Sequence, residues 1–431
     1  ERPAPLSPGL PGHDDVLGGG LTPNRVYLIE GTPGAGKTTI AIQLLREGVA
    51  RGESVLYVTL SETAEELDGV ARSHGWDMRG IHVREMLPNL EALEPDEQYT
   101  MFHPSEVELS ETTLRILADV DALKPTRVVF DSLSELRLLA GNSLRYRRQI
   151  LALKQFFSGR QCTVLLLDDL TAVEQDLQVQ SIAHAVIRLD QVNPDYGSSR
   201  RRLIVPKYRG QSYRGGYHDY KIVRGGLQVY PRLVAAEHTH PQAQSKAPSD
   251  IAELDALLGG GLEKGTSTLF VGAPGTGKSS VAVQFAVAAA RRGEKAALFI
   301  FDESLNTLRS RAEGMGIGLG PFLDSGQIQV RQVDPAELSP GEFVDAIRTA
   351  VTTGEASVIV IDSLNGYLNA MPDERFLSVQ LHELLTYLGR MGVATLLIGA
   401  AHGLVGPQMQ LPVDASYLAD AVVLLRYYEH A

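Results

Sequence analysis

The sequence contains little of what marks a secreted or membrane protein. It has one cysteine in 431 residues, so no intrachain disulfide can form and a secreted disulfide scaffold is not indicated. That residue, Cys162, lies in the apolar run 162–167 and is predicted to be a buried, inert thiol. No run reaches the roughly 18 to 20 apolar residues that a membrane span needs. We therefore expect a cytoplasmic protein that does not enter a membrane.

Positive charge is also scarce. Lys and Arg number 40 against 52 Asp and Glu, which gives a net charge of −12, and such a chain repels a polyanion unless its basic residues are clustered. Nucleic acid is therefore not expected as a partner. Residues 1–7 lack the apolar core of a signal peptide, and because residue 1 is not Met we expect the natural N-terminus to lie upstream.

What the sequence does contain is an internal repeat. The segment 17–21, Leu-Gly-Gly-Gly-Leu, recurs at 258–262, an offset of 241 residues, and the glycine-rich segment that follows it recurs at the same offset. Such self-similarity indicates a duplicated structural unit, and 431 residues suit two domains better than one core. We predict a first domain over 1–234, a linker rich in small and polar residues over 235–249, and a second domain over 250–431.

Each half alternates short β-rich runs with longer helical patterns, which is typical of a parallel sheet flanked by helices. Strands of such sheets are buried on both faces, so they need not alternate apolar with polar residues. The expected strands are 26–29, 54–58, 127–130 and 163–167 in the first half, and 267–271, 297–300, 357–361 and 395–398 in the second.

Both halves carry the pattern G-x-x-x-x-G-K-[ST] between a β-rich run and a helical pattern, which is the context that a phosphate-binding loop requires. The glycines let successive backbone N–H groups wrap the β-phosphate, and the helix that follows directs its positive end at the anion. The two lysines of the pattern are expected to reach the β- and γ-phosphates of ATP. The predicted ATP-binding residues are Gly31, Thr32, Pro33, Gly34, Ala35, Gly36, Lys37, Thr38 and Thr39, and Gly272, Ala273, Pro274, Gly275, Thr276, Gly277, Lys278, Ser279 and Ser280.

Oxygen ligands for Mg²⁺ are predicted in each half. The hydroxyls of Thr38 and Ser279 close the two loops, and P-loop proteins use this hydroxyl to bind Mg²⁺. An aspartate at the end of a later strand holds the same ion in such proteins. Asp131 and Asp362, which each end an apolar run and are 231 residues apart, are the candidates.

A carboxylate at the end of the strand after the loop helix is well placed to accept a proton from the attacking group. Glu62 and Glu303 occupy this place and keep the offset of 241 residues, so they are the candidate bases. Asp302 adds a second carboxylate in the second half only.

Taken together, these motifs resemble the KaiC family, whose members are double-domain relatives of RecA. The resemblance covers essentially the whole chain outside the linker, and its most specific piece after the loops is the segment 206–217. It implies an α/β protein of two tandem RecA-like P-loop NTPase domains, each a mainly parallel twisted sheet flanked by helices. It also implies a homo-hexamer with ATP at subunit interfaces, where Lys207 and Arg209 act in trans on the neighbour's nucleotide.

The resemblance further implies an autokinase, because KaiC phosphorylates neighbouring Ser and Thr residues near the end of its second domain. The corresponding positions here are Ser416 and Tyr417, and the tyrosine departs from the family pattern. The chain ends before the segment in which the family carries the second domain's own trans Lys and Arg, so that segment is expected to be cut off or not covered. Kai-like or other signalling proteins are expected as partners.

Two other functions share these motifs. A DNA recombinase or helicase of the RecA or DnaB type would have the same loops and strand order, but its pore needs basic loops, and the one dense basic run is 200–202. A signalling scaffold that binds ATP and turns it over rarely is compatible with every motif. The interpretation that we carry forward is a KaiC-like ATPase and autokinase with Ser416 as the phosphoacceptor.

Overall fold

The computed structural model describes residues 4–86, 104–170, 177–194, 197–239, 245–369, 376–400 and 418–427. It contains two compact units. Unit 1 comprises Glu1–Pro194 with Ser199–Arg232, and unit 2 comprises Asp195–Ser198 with Leu233–Ala431. Among the described residues, no helix combines the length and apolar character needed to cross a membrane.

Unit 1 is a nine-stranded sheet between helices. Its strands are β1 (Val26–Gly31), β2 (Val55–Thr59), β3 (Ile81–Glu85), β4 (Arg127–Asp131), β5 (Thr163–Asp169), β6 (Ala185–Val192), β7 (Arg200–Tyr208), β8 (His218–Val223) and β9 (Gly226–Tyr230). Its helices are α1 (His13–Val16), α2 (Lys37–Ala50), α3 (Ala64–Ser73), α4 (Pro104–Leu123), α5 (Leu133–Ala140), α6 (Ser143–Phe157) and α7 (Leu177–Ile182).

The order of strands in this sheet is β3-β2-β4-β5-β1-β6-β7-β8-β9. Strands β1 to β6 are parallel, and β7, β8 and β9 extend the sheet in antiparallel fashion. The parallel part agrees with the sequence prediction, whereas the antiparallel extension was not predicted. We call the edge at which the parallel strands end the carboxyl edge, and the edge at which they begin the amino edge.

Successive side chains of each strand point to opposite faces of the sheet. They therefore pack into two hydrophobic cores, one on either face. In β1, Tyr27 and Ile29 pack in the core that includes α2 and α3, while Val26 and Leu28 pack in the core that includes residues of α4, α5 and α6. All six residues of β1 are buried, as expected for a central parallel strand covered on both sides.

Unit 2 repeats this architecture. Its strands are β10 (Lys246–Ala247), β11 (Leu262–Glu263), β12 (Ser267–Gly272), β13 (Lys295–Ile300), β14 (Ile328–Gln332), β15 (Ala356–Asp362), β16 (Ala394–Ala400) and β17 (Ala421–Leu425). Its helices are α8 (Ala252–Leu257), α9 (Lys278–Arg291), α10 (Leu305–Gly314), α11 (Gly320–Asp324), α12 (Pro340–Thr352), α13 (Leu364–Asn369) and α14 (Leu377–Arg390).

A six-stranded parallel sheet, ordered β14-β13-β15-β16-β12-β17, forms the centre of unit 2. Within the stretch 235–249 expected as a linker, the structure has a 3-10 helix, Ala235–Glu237, and the strand β10, which pairs with β11. The α/β class with mainly parallel sheets flanked by helices, predicted from the sequence, is confirmed. Cys162 is buried, and burial raises the pKa of its thiol to about 12.

Two buried histidines in unit 1 make its stability depend on pH. Burial, and secondarily the nearby His218, lowers the pKa of His13 to about 4. Burial also lowers the pKa of His218 to about 4, and its two ring nitrogens already contact the carbonyl of Arg214 and the N–H of Arg232. A neutral ring that donates from one nitrogen and accepts at the other satisfies both contacts.

We therefore expect the free energy of unfolding to fall as the pH falls from about 6.5 to about 4, because over this range the unfolded chain binds protons that the folded chain does not. The loss is roughly 2 to 3 kcal/mol for each histidine. Urea unfolding at a series of pH values measures it. Replacing His13 with Leu removes one of the two groups and should make the pH dependence shallower, whereas an unchanged slope would show that His13 does not contribute.

Candidate functional site

The glycine-rich loop of unit 1 lies at the carboxyl edge of the sheet, between β1 and α2. Gly36 precedes α2 with φ 96°, a left-handed conformation that residues with a Cβ rarely adopt. A Cβ at this position would also lie 2.8 Å from the side chain of Ile222. The positive φ is what requires glycine here, and the tip of the Ile222 side chain of β8 packs against it.

Lys37, at the start of α2, is held inside this loop. It is 7% exposed, and its Nζ donates to the carbonyls of Gly31 (2.9 Å) and Thr32 (3.0 Å). Its Nζ also lies 2.7 Å from Oδ1 of Asp169 at the end of β5. The ammonium is thus fixed at the point where the loop curls, as a lysine that contacts β- and γ-phosphates must be.

The remaining loop residues form the turn and its supports. Ala35 N–H donates to the Thr32 carbonyl at 3.2 Å, and the Ala35 carbonyl accepts from the hydroxyl of Tyr220 at 2.6 Å. Pro33 and Gly34 lie in the turn between them. The hydroxyl of Thr39 lies 3.4 Å from Nε2 of His74, on the side of α2 that faces α3.

The two predicted magnesium ligands of unit 1 lie together. The Thr38 hydroxyl donates to Oδ2 of Asp131 at 3.2 Å, and the Tyr57 hydroxyl donates to the same oxygen at 2.5 Å. Burial raises the pKa of Asp131, because a charged carboxylate is poorly solvated at this depth. Burial and the nearby Asp131 carboxylate also raise the pKa of Tyr57, so its phenol stays protonated and keeps donating.

Glu62 follows β2 at the same edge of the sheet. Its backbone is held by the Thr59 side chain, whose hydroxyl donates to the Glu62 carbonyl (2.7 Å) and accepts from the Glu62 N–H (2.9 Å). Its Oε2 is buried and has no hydrogen-bond partner among the described residues. Burial raises the pKa of Glu62, and the carboxylates of Asp131, Glu66 and Asp169 raise it further.

The donor set of unit 1 fits a divalent cation. The carboxylates of Asp131 and Asp169 raise the pKa of Glu62, and Asp169 raises the pKa of Asp131, which is the electrostatic situation that a bound cation relieves. Within the described ranges no group of three or more His, Cys, Asp or Glu side chains could hold a metal ion. Mg²⁺ is usually held in proteins by one or two carboxylates together with substrate phosphates and water, and Asp131 with Thr38 would supply the protein's share of such a site.

The loop of unit 2 has the same geometry. Gly277 precedes α9 with φ 89°, and Lys278 is 8% exposed and donates to the carbonyls of Gly272 and Ala273, both at 2.8 Å. Burial lowers the pKa of Lys278. The other predicted residues complete the turn: Thr276 donates to Ala273 at 2.8 Å, Pro274 accepts from the Tyr427 hydroxyl at 2.9 Å, and Gly275 has φ 81°.

The carboxylates of unit 2 are arranged differently from those of unit 1. Burial raises the pKa of Asp362, which is hydrogen-bonded to Ser279, so this pair matches Asp131 and Thr38. Asp302 accepts a 2.5 Å hydrogen bond from the hydroxyl of Ser363. Glu303, in contrast to Glu62, forms an ion pair with a cation, Arg311 of α10.

Lys207 and Arg209 are directed away from the phosphate loop of their own unit. In the ladder of β7 and β6, Lys207 faces Val186, and Val186 faces Leu28 of β1, three residues before Gly31. The Lys207 Nζ binds the carbonyls of Gln180, Ser181 and Ala183, and Arg209 Nη2 donates to Ser181 at 2.8 Å. These carbonyls precede β6, so both cations are directed at the amino edge.

A cavity of about 460 Å³ opens at this amino edge. Arg25, Lys154, His184 and Arg209 are among its lining residues. Burial lowers the pKa of His184, and the positive charges of Arg25, Arg209, Lys207 and Lys154 lower it further. The cavity therefore has a positive potential that favours an anion.

The predicted phosphoacceptors Ser416 and Tyr417 lie outside the described residues. Of the other predicted site residues, the structure brings Lys37, Thr38, Asp131 and Glu62 together in unit 1. It brings Lys278, Ser279, Asp362, Asp302 and Glu303 together in unit 2.

Sequence reasoning missed Asp169, Tyr57 and Arg311. Asp169 ends β5 at the carboxyl edge, so the rule that selected Asp131 could have selected it too. In the register of β2 and β4 the partner of Asp131 is Thr59, and Tyr57 lies two residues before it. Its hydroxyl reaches Asp131 diagonally, so this contact requires knowing that the two strands are neighbours. Arg311 is eight residues beyond Glu303, on the helix α10, which packs near α9. No sequence motif includes it.

Comparison with known proteins identifies the family of the chain. The family model for the KaiC ATPase matches residues 6–234 and, a second time, residues 247–431. The circadian clock oscillator protein KaiC of Parathermosynechococcus lividus is 27% identical over 428 residues, covering 98% of this chain and 78% of the relative. The circadian clock protein KaiC3 of Synechocystis sp. is 26% identical over 430 residues, covering 98% of this chain and 84% of the relative.

Proposed function

The chain belongs to the KaiC family of ATPases and is a KaiC-like ATP-binding protein, and from this premise we propose that both units bind ATP with Mg²⁺, that unit 1 hydrolyses it, and that unit 2 transfers its γ-phosphate to a serine of the same protein. The observation that carries the proposal is the convergence of Lys37, the Thr38–Asp131 pair and Glu62 at one edge of one sheet. The same set recurs in unit 2.

In unit 1 the loop amides and Lys37 bind the phosphates, and Thr38 and Asp131 would hold the metal. Mg²⁺, when bound, neutralises charge that develops on the β- and γ-phosphates. Glu62 orients a water molecule and accepts its proton while the water oxygen bonds to the γ-phosphorus. The bond between that phosphorus and the bridging oxygen breaks, and ADP leaves with the electron pair. The raised pKa of Glu62 makes it a stronger base than an ordinary glutamate.

The same chemistry serves a kinase if a serine hydroxyl replaces water. In unit 2, Glu303 or Asp302 would accept the hydroxyl proton, and the serine oxygen would receive the phosphoryl group as ADP leaves. We propose Ser416 as the phosphoacceptor and Tyr417 as the alternative, from their correspondence with the family's phosphorylated pair. Relatives are named circadian clock proteins, and we extend the proposal to a timing or signalling role in which Kai-like partner proteins respond to this phosphate.

We further propose a homo-hexameric ring in which Lys207 and Arg209 act on the nucleotide of the neighbouring subunit. Two observations support it. Both cations point to the amino edge, away from the loop of their own unit, and the cavity beside Arg209 has a positive potential. A cation supplied by a neighbour stabilises the transition state only after assembly.

Incubation of the full chain with [γ-³²P]ATP and Mg²⁺ tests both activities, by following free phosphate and protein-bound label. We expect release of free phosphate, and a protein label that is lost in Ser416→Ala and retained in Tyr417→Phe. Label that is lost only in Tyr417→Phe would reassign the acceptor. Phosphate release without any protein label would remove the kinase half of the proposal, and the absence of both would contradict the proposal as a whole.

A further inference from the structure

The candidate base of unit 2 is tied to the phosphate-loop helix by an arginine. Arg311, in α10, donates through Nη2 to the carboxylate of Glu303 and through Nη1 to the hydroxyl of Ser280 at 3.0 Å. Ser280 follows Ser279 in α9. One guanidinium therefore connects the residue proposed to accept the proton with the helix that begins at the phosphate loop.

Unit 1 has no such connection at the matching place. The repeat offset of 241 residues pairs Arg311 with Val70, an apolar residue packed against the first core. Glu62, the counterpart of Glu303, has a buried Oε2 with no hydrogen-bond partner in the described part of the chain. Among the described residues, the same carboxylate is therefore found in two conditions: Glu62 has no ion-pair partner, and Glu303 is paired with Arg311.

The Arg311–Glu303 ion pair is partly shielded from solvent. The side chains are 29% and 21% exposed, whereas exposed surface pairs are largely screened by water. The charge of Arg311 also interacts with the carboxylate of Asp362. Arg311 therefore lies within the carboxylate cluster of unit 2.

A carboxylate in this condition is a restrained base. A charge-assisted hydrogen bond from a guanidinium occupies one carboxylate oxygen and fixes the orientation of the group. To accept a proton from a nucleophile, the carboxylate must first weaken or break this bond. Its bond to Ser280 keeps the arginine in place, so the restraint does not depend on a freely moving side chain.

We propose that Arg311 is a positioning residue that restrains Glu303 and so slows the consumption of ATP in unit 2 relative to unit 1. The proposal rests on the proposed function and takes Glu303, one of the two carboxylates named there, as the base. It goes beyond that function because it concerns one ion pair that has no counterpart in the described part of unit 1. It also predicts a gain of activity on mutation and not a loss.

The test uses the full chain carrying Glu62→Gln, so that unit 1 is silenced and the γ-phosphate consumed comes from unit 2. Total consumption is the sum of free phosphate and protein-bound label. Adding Arg311→Val, which installs the residue of unit 1, should raise kcat about tenfold, the value of one charge-assisted hydrogen bond, with KM little changed. Arg311→Gln should act in the same way, and Arg311→Lys, which keeps the charge, should restore most of the restraint.

Arg309→Val is the matched control. Arg309 lies on the same helix and pairs with Glu313 and Asp324. Its replacement therefore removes an equal charge at a distance from the carboxylate cluster and should leave kcat unchanged. Unchanged kcat in both Arg311→Val and Arg311→Gln would overturn the restraint, and a fall in kcat would show that Arg311 assists the reaction instead. A parent protein that consumes no ATP would contradict the proposed function, an outcome distinct from either.

Discussion

Replacing Arg209 with Ala is expected to slow ATP hydrolysis by roughly 10³-fold, the lower end of the effect of an arginine that reaches a neighbour's γ-phosphate. The side chain lies at the amino edge of its own sheet, bonded to the Ser181 carbonyl, whereas the loop of its own unit lies at the carboxyl edge. A large loss of activity would therefore need a second subunit to explain it. Steady-state release of phosphate measures the effect, with Lys207→Ala expected to act in the same direction.

Arg51→Ala serves as the control for loss of charge. Arg51 is an exposed arginine at the end of α2, paired with Glu47, and its replacement should leave the rate within a factor of about two. A comparable fall in both variants would show that net charge, rather than the position of Arg209, sets the rate.

Mixing two inactive variants distinguishes action in trans from action in cis. Subunits with Arg209→Ala keep Glu62, and subunits with Glu62→Gln keep Arg209, so a mixed ring has some interfaces at which both groups are intact. We expect the mixture to recover part of the parent rate. No recovery, in a mixture shown by size-exclusion chromatography to co-assemble, would mean that both groups act on the same subunit's nucleotide.

Glu62→Gln is expected to lower hydrolysis in unit 1 by about 10² to 10⁴-fold, the range for loss of a positioned general base. Glutamine has nearly the same shape, so the fold should be retained and binding of ATP should change little. Single-turnover release of phosphate, with ATP binding measured separately, checks both statements. If the rate stayed within a few-fold of the parent, Glu62 would not be the base.

The pH dependence of the same reaction gives a second test. The pKa of Glu62 is raised by burial and by neighbouring carboxylates, including Glu66. A raised pKa means that the base becomes protonated at a higher pH than an ordinary glutamate, so activity should fall as the pH is lowered, and should begin to fall early. Glu66→Gln removes one of the charges while keeping the side chain that caps α3, and should move this fall to lower pH.

Much of the fold follows from local patterns in the sequence. Central strands such as β1 and β12 are apolar runs that end at glycine-rich loops, and burial on both faces explains why they do not alternate. The predicted parallel sheets flanked by helices are confirmed. The antiparallel strands β7, β8 and β9 were not predicted. Charged, partly exposed residues interrupt the apolar ones in β7 and β8, so these strands lack the continuous apolar run of the central strands.

The candidate site shows where sequence reasoning ends. A motif of fixed spacing identifies Lys37 and Lys278, but it does not reveal that Asp169 pairs with the first lysine, since that depends on which strand lies beside β1. The sequence also does not show that Glu303 has an ion-pair partner while the Oε2 of Glu62 has no hydrogen-bond partner among the described residues. The two residues occupy the same place in the repeat, and only the return of α10 toward α9 brings Arg311 to one of them.

The antiparallel extension has a mechanical consequence. Its strand β8 touches the phosphate loop of its own unit through Tyr220, whose hydroxyl binds the Ala35 carbonyl, and it pairs with β7 through His218 and Leu203. Strand β7 then runs on to Lys207, about 13 Å further at the usual rise per residue. The phosphate loop and Lys207 are thus connected through the hydrogen-bonded strands β8 and β7. In the proposed ring, a shift of one subunit's loop would be transmitted to the next subunit's nucleotide, so that neighbouring sites would act in sequence and not independently.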